Sequence, residues 1–388
     1  MSPAHPVVGR SVAETAPVID KSARDTAPVL GRSAPGPPPA VGRSTPDAAP
    51  VFNRSVPDAD DLVRLHLNES PYGPSPAAVR AAERELRRTS VYPDPERARL
   101  VGALAEHWGV DRGRVAVANG SDELVLTAAL ALGDMARPGL VTAGTFPGYR
   151  TSLERTRRGV AAVPFGDVAA FAARLPDHGI GFVCNPHNPS GSALSRAEMD
   201  RLVDAAEESG VPLVFDEAYM DFAGPEVARA RDYLHRDAPV LALRTFSKAY
   251  GLAALRIGYA VGAPALVAEM LAALRTLPFG ANRLAQAAAL AALADQEFLD
   301  GVRAANAAQR SWLAGELTRR GRAFLPSTTN FMAVATTDSG AAQNRLADEH
   351  GILVRDAGLF GFSGYLRVSL GSRDDLLKLL DALDQMGL

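Results

Sequence analysis

The chain has 388 residues, enough for one large and one smaller packed domain, and is 47% apolar and 22% charged, an ordinary globular balance. A formal net charge of −3 gives no electrostatic case for nucleic acid or for an anionic membrane surface. One cysteine, Cys184, excludes an intrachain disulfide and a cysteine-based metal site, and no run approaches the ~20 apolar residues of a membrane span. The N-terminus has no apolar signal core and carries regularly spaced acids, so a cytoplasmic enzyme without a metal is expected.

Residues 6–60 are a different material from the rest. They divide into five consecutive 11-residue units starting at Pro6, Pro17, Pro28, Pro39 and Pro50, each reading Pro-Val/Ala-apolar-Gly/Asp/Asn-Arg/Lys-Ser. An 11-residue period can mark a right-handed coiled coil, but a proline opening every unit forbids a continuous helix. Two or three apolar side chains per unit cannot offset the entropy of ordering them. A disordered extension over residues 1–60 is expected; the rival reading is a tail that docks a partner through repeated motifs.

From Asp61 the texture becomes globular. Short apolar runs at 115–119, 139–142, 161–165, 181–184, 211–215 and 240–243 read as buried strands of a mostly parallel sheet. Helical patterns lie between several of them, such as Asp122 to Leu132 and Ser195 to Ser209, where Ser195 and Glu198 form a capping box. Alternation of strand and helix predicts an α/β fold with ligands at the carboxyl ends of the strands. A long Ala-rich helical stretch from Asn282, strands at 330–335 and 365–370 and a closing helix predict a smaller α+β domain.

The polar groups fall where those strands end. Asn119-Gly-Ser-Asp-Glu123 opens a helix and offers a phosphate cradle; Thr145-Phe-Pro-Gly-Tyr149 brings an aromatic ring to the same edge. Asn185-Pro-His-Asn-Pro-Ser-Gly191 holds an extended loop, and Phe215-Asp-Glu-Ala-Tyr219 presents a carboxylate and a phenol. Last comes Arg244-Thr-Phe-Ser-Lys-Ala-Tyr-Gly, with Lys248 beside Ser247 and Arg256 eight residues on. Together they describe the receptor of a flat, cationic heteroaromatic with a phosphate tail. Phe146 supplies a stacking face, Asp216 a carboxylate for a pyridine nitrogen, Asn188 and Tyr219 donors to a phenolic oxygen. Ser121, Ser247 and Arg256 supply the phosphate cradle and Lys248 an imine-forming amine. That ligand is pyridoxal 5′-phosphate, the electron sink for carbanions at an amino acid Cα.

The chain from about Leu65 to Leu388 resembles the fold-type I aminotransferases, most closely their histidinol-phosphate aminotransferase branch. The motifs that carry the resemblance are Leu67-Asn-Glu-Ser-Pro71, Tyr92-Pro-Asp-Pro95, the Asn185–Gly191 loop, Phe215–Tyr219, Arg244–Leu252, Thr329-Asn-Phe331 and Leu366-Arg-Val-Ser-Leu-Gly371. The resemblance implies a large domain with a mostly parallel seven-stranded sheet (93–278), an N-terminal arm (61–92) and a small C-terminal domain (279–388). Lys248 would be the lysine joined to the cofactor and the base at Cα, Asp216 the partner of the pyridine nitrogen, and Asn188 and Tyr219 the partners of its 3′ oxygen. Asp216 and Tyr219 thus join Lys248 as catalytic residues. Ser121, Asp122, Ser247 and Arg256 would line the phosphate end, and Phe146 would stack on the ring. Tyr92 would reach the phosphate of the neighbouring subunit, so a homodimer with shared active sites is expected. Arg367 would fork onto the substrate α-carboxylate, Arg355 would help bind the side-chain phosphate of histidinol phosphate, and Asn68 would lie at the substrate.

Amino-group transfer between an amino acid or amino-alcohol phosphate and 2-oxoglutarate or glutamate is the activity this implies. Threonine-phosphate decarboxylases and aromatic aminotransferases share the scaffold and stay open as alternatives. Three departures weaken the substrate assignment and spare the cofactor site. No tyrosine precedes Tyr72, where the branch has one shortly before the Leu-Asn-Glu element. His187 stands where an asparagine is usual, and reads as a tolerated loop residue rather than a catalytic one. Gly280 replaces a common asparagine near the substrate.

Overall fold

The computed structural model describes residues 62–388; the 11-residue units of residues 6–60, with the expected disordered extension, lie outside them. Its strands are β1 (Val63–Arg64), β2 (Val115–Ala118), β3 (Gly139–Thr142), β4 (Val160–Val163), β5 (Ile180–Cys184), β6 (Leu213–Asp216), β7 (Val240–Thr245), β8 (Gly258–Gly262), β9 (Phe331–Ala335), β10 (Ile352–Leu353), β11 (Arg355–Asp356) and β12 (Tyr365–Ser369). The helices are α1 (Pro76–Leu86), α2 (Ala98–Trp108), α3 (Gly120–Ala131), α4 (Gly148–Arg155), α5 (Val168–Arg174), α6 (Arg196–Ser209), α7 (Pro264–Leu274), α8 (Arg283–Ala294), α9 (Gln296–Arg319), α10 (Ser339–His350) and α11 (Arg373–Gln385).

Seven strands form one sheet in the order β2-β8-β7-β6-β5-β3-β4, the mostly parallel α/β arrangement the sequence predicts. Alternate residues of β2 enter opposite layers: Val115 and Val117 pack with α2 and α6, while Ala116 and Ala118 pack with α3, α4 and α7. The sheet is therefore covered by helices on both faces, which is why its strands read as unbroken apolar runs. In parallel register Cys184 pairs with Asp216, and Asp216 with Leu243. Three strands thus deliver their carboxyl ends to one level, where ligands of open α/β sheets bind.

Two features depart from the sequence reading. The seventh strand, β8, was not among the runs assigned as strands; it lies antiparallel between β2 and β7. Its first residue, Gly258, sits so close to the start of α3 that a Cβ would lie 2.9 Å from the Gly120 carbon and from the Arg244 carbonyl oxygen. A five-residue segment with glycine at both ends carries little strand signal of its own. The Ala-rich stretch after Asn282 is two helices, not one. Asn282 caps α8 by accepting from the Ala285 N–H, and Asp295 ends that helix and caps α9 by accepting from the Phe298 N–H. By contrast α6 begins as expected, with Ser195 and Glu198 in a reciprocal capping box.

A second sheet, β11-β12-β9, packs under α10 and α11 with Leu313 and Leu317 of α9. Val63 and Leu65 join this core, and β1 pairs in parallel with β10, so the start of the described chain is stitched to its C-terminal part.

Below the carboxyl ends of β6 and β7 lies a buried ion cluster. Arg244 donates to Glu217 at 3.0 Å and also binds Asp221, and Glu217 accepts from the Ala230 N–H at 2.7 Å. Removing the arginine leaves Glu217 buried without its paired guanidinium and Asp221 with the longer contact to Arg303 at 3.7 Å, so Arg244→Ala is expected to cost about 3–5 kcal/mol. Urea unfolding of Arg244→Ala beside Arg196→Ala, which breaks an exposed pair with Asp232, checks this. Equal small effects from both would show that the cluster carries no stability.

Candidate active site

Asp216 is the last residue of β6 and is only 6% exposed. Its Oδ2 accepts from the Tyr149 hydroxyl at 2.7 Å and its Oδ1 from the Ala218 N–H at 3.1 Å. Burial pushes its carboxyl up to about 6, with both donations pulling the other way. Three residues on, the Tyr219 hydroxyl accepts from Asn68 Nδ2 at 2.9 Å, and burial raises this phenol to about 12. Asn68 has a positive φ of 55°, and its N–H and Oδ1 both meet the Ser369 hydroxyl. That double tie fixes the left-handed turn before it, a conformation asparagine tolerates better than most residues.

Lys248 follows β7 by a short turn. Its Nζ donates to the Leu67 carbonyl at 2.9 Å and lies 5.8 Å from the Tyr219 ring centroid. Burial first, then the nearby Arg367, lower its amine to about 8. Asn188, in the loop after β5, accepts through Oδ1 from Arg367 Nη1 at 2.7 Å, while Arg367 Nη2 donates to the His66 carbonyl at 2.7 Å. The Arg367 guanidinium lies between the Phe331 and Phe360 rings at 5.6 and 5.1 Å. Burial, with Arg355 adding to it, brings Arg367 down to about 10. Arg355 faces it across the antiparallel β11–β12 pair. The Nε atoms of both arginines are buried without a hydrogen-bond partner among the described residues.

The other end of the site is the start of α3. Arg256 reaches Ser247 Oγ at 3.4 Å and Asp122 Oδ2 at 2.8 Å, beside Ser121 in the first turn of α3. Gly120 has φ 78°, and a Cβ there would sit 2.7 Å from Arg256 Nη2. Only a glycine lets this arginine lie across the helix end, where first-turn N–H groups stay unpaired within the helix and favour an anion. Phe146, after β3, is partly buried and meets Tyr149 edge-on at 5.5 Å.

Lys248, Asp216, Tyr219, Asn188, Asn68, Arg367 and Arg355 are thus gathered at one sheet edge, with Ser121, Asp122, Ser247 and Arg256 at its phosphate-like end. Tyr92 is not brought to them within this chain: it is 73% exposed and stacks on Phe279 at 4.3 Å. His187 is buried, hydrogen-bonded through Nδ1 to Ser190 at 2.9 Å and stacked on Phe165 at 4.2 Å. Burial drops its pKa to about 3, so the ring is neutral and tied into its loop. Gly280 lies against Asn119, its carbonyl accepting from Arg97 at 3.2 Å. Sequence reading assigned no role to Tyr149 or His66, because nothing local says which carboxylate or arginine they will meet; the one signal for Tyr149 was its place one turn after Phe146. Among the described residues no cluster of His, Cys, Asp or Glu could hold a metal, and no helix is long and apolar enough to cross a membrane.

The donor set fits pyridoxal 5′-phosphate. A largely buried amine of lowered pKa, a buried carboxylate with no cationic partner, and a glycine-lined cradle with an arginine and two hydroxyls match its aldehyde, ring nitrogen and phosphate.

The family of aminotransferases class I and II matches residues 60–383. A histidinol-phosphate aminotransferase of Hyphomonas neptunium is 36% identical over 325 residues, covering 81% of this chain and 88% of that protein. The crystal structure of histidinol-phosphate aminotransferase from Sinorhizobium meliloti, in complex with pyridoxal-5′-phosphate, superimposes with a TM-score of 0.75 at 32% identity, over 83% of this chain and 90% of that one. L-threonine-O-3-phosphate decarboxylase from Porphyromonas gingivalis, at 24% identity and a TM-score of 0.74 over 84% of this chain and 99% of that one, shares the fold. With this fold, this order of motifs and these relatives, the chain belongs to the class I and II aminotransferases.

Proposed function

We propose that this aminotransferase uses pyridoxal 5′-phosphate to move an amino group between histidinol phosphate, or an amino acid, and 2-oxoglutarate. The observation that carries the substrate reading is the Arg355–Arg367 pair. Two guanidiniums sit side by side on adjacent strands, Arg367 fully desolvated and without a carboxylate partner among the described residues. Buried charge is retained at such cost only where something neutralises it; a substrate carboxylate or phosphate supplies that charge, and a guanidinium binds either through two donors.

When bound, the cofactor supplies an electron sink for charge developing at the substrate Cα. The protein's part follows from the contacts. Lys248, its pKa lowered by burial to about 8, would supply the amine for the cofactor aldehyde and would hold the proton that leaves Cα. Asp216 keeps a proton on the ring nitrogen. Asn68 donates to the Tyr219 oxygen, which leaves the phenol hydrogen free for the cofactor's 3′ oxygen. Arg367 occupies the Asn188 carbonyl oxygen, which orients the amide NH2 for the same task. Arg256, Ser247, Ser121 and the start of α3 would hold the phosphate, with Asp122 orienting Arg256, and Phe146 would cover the ring.

Three further elements belong to the proposal. The chain works as a cytoplasmic homodimer in which the exposed Tyr92 serves the neighbouring site, supported by the outward stack of Tyr92 on Phe279. The region 93–278 acts as the large domain and 279–388 as the small one, with 61–92 as an arm. Its role is biosynthetic, matching the relatives it resembles.

Three outcomes are expected. First, because the amine reacts only when neutral and burial lowers its pKa to about 8, capture of pyridoxal 5′-phosphate by the cofactor-free protein should rise with pH and level off above that value, not near the ~10.4 of a free lysine. Borohydride trapping and peptide mapping at a series of pH values test it; an adduct on another lysine defeats the assignment. Second, Arg355→Ala should lower kcat/KM about 10–100-fold for histidinol phosphate, the loss of a charged hydrogen bond, and much less for a neutral amino acid. Equal losses for both would reduce Arg355 to a structural role. Third, mixing inactive Tyr92→Phe and Lys248→Ala chains should restore part of the activity, since each mixed dimer then holds one intact site. A fully active monomer in sedimentation would end the shared-site reading.

A further inference from the structure

Tyr149 enters none of the roles above, yet it touches two groups on which the site depends. It stands in the first turn of α4, is fully buried, and gives its hydroxyl to Asp216 Oδ2 at 2.7 Å. Its ring stacks on Phe182 of β5 at 5.4 Å and 11°, and meets the Phe146 ring edge-on at 5.5 Å and 76°. Phe146 is folded back so closely that a Cβ at Gly148 would lie 2.2 Å from its Cε1. The Phe146 ring is therefore packed closely against both Gly148 and the Tyr149 ring.

A buried phenol needs a partner, and a backbone carbonyl would satisfy it. Here it donates to a carboxylate that has no ion pair or hydrogen bond with a lysine or arginine side chain among the described residues; the charged neighbours that act most on Asp216 are two more acids, Asp122 and Glu217. Both influence it toward the neutral form. Burial holds the Tyr149 hydroxyl well above its usual range, so it stays a donor at any physiological pH. A neutral donor with a rigid ring is a fitting partner for a carboxylate that must stay ionised and yet remain free to meet a cation. An arginine would have neutralised it instead.

We propose that Tyr149 is a positioning residue that keeps Asp216 ionised and aimed while bracing the Phe146 ring, so that one side chain sets both the charge under the cofactor's ring nitrogen and the face that covers the ring. This rests on the cofactor reading above. The variant that separates the hydroxyl from the ring is Tyr149→Phe, which keeps both ring contacts and deletes one oxygen.

The first measurement uses cofactor-free protein: a carbon-13 titration of labelled aspartates, with Asp216→Asn to assign the signal. Tyr149→Phe should raise the Asp216 midpoint by about 1–2 pH units, the worth of a charged hydrogen bond. The second follows the visible absorbance of the holoenzyme on dilution, where the cofactor dissociation constant should rise about 10-fold or more and kcat should fall with little change in substrate KM. Tyr149→Leu, which also removes the ring edge from Phe146, should weaken cofactor binding further. If the phenylalanine variant does not fold by circular dichroism, fluorotyrosine placed at position 149 keeps the shape and makes a stronger donor, and should move the Asp216 midpoint down. An unchanged midpoint and unchanged cofactor affinity in Tyr149→Phe would leave Tyr149 a space-filling residue and overturn the proposal. Should the wild-type protein fail to trap pyridoxal 5′-phosphate on Lys248, the cofactor reading falls, while the cofactor-free titration still decides whether Tyr149 governs Asp216.

Discussion

Ionised side chains held out of water organise the carboxyl edge of the central sheet. Asp216 and Glu217 are adjacent in sequence and bury their carboxylates in opposite layers. Glu217 turns to Arg244 in the layer of Trp108, while Asp216 turns to Tyr149 in the layer of Phe182. The two solutions differ in kind. Glu217 is given a guanidinium and becomes part of the scaffold; Asp216 is given only neutral donors and stays electrostatically unfinished. Desolvation raises both carboxyl groups, so a structural carboxylate and one awaiting a ligand differ in their partners rather than in their burial.

The opposite imbalance lies a short distance away. Lys248, Arg367 and Arg355 all have lowered pKa values, burial being the first cause in each case. For the lysine this is useful chemistry, since a lower pKa gives more of the reactive amine at neutral pH. For the arginines, which stay charged, the same desolvation sharpens the preference for an anion. One set of buried cations and one buried carboxylate without a cation make a receptor for a zwitterionic ligand with acidic ends, and this pairing of opposite deficits is what the aminotransferase reading explains.

The rigid frame behind these groups is built from close approaches. Gly258 lets β8 run against the start of α3, and Gly120 lets Arg256 cross that helix end. The β11–β12 register sets Arg355 opposite Arg367, and Asn68, held by Ser369, links the first described residues to Tyr219. The site thus draws on segments some 300 residues apart, and its geometry depends on the packing of β1 and Leu65 into the C-terminal core as much as on the large sheet.

Much of this was legible in the chain alone. Apolar runs bounded by turns mark the parallel strands because both sheet faces are covered, and motifs such as Phe215–Tyr219 and Arg244–Leu252 carry the side-chain chemistry with its spacing. The helix start at Ser195 was legible for the same reason, as capping is local. What escaped was whatever depends on a distant neighbour. β8 takes its strand character from β2 and β7 on either side; Asp295 divides one Ala-rich run by capping a helix on either hand; His187 is neutral because Phe165 and its surroundings bury it. Tyr149 had no legible role because a phenol's function is set by the group at the end of its hydrogen bond, here a carboxylate 67 residues away. The sequence by itself determined residue types, local turns and the family. Only the tertiary structure decided which charges are neutralised and which are left for a ligand, since desolvation and partnering belong to the folded chain and to no stretch of it alone.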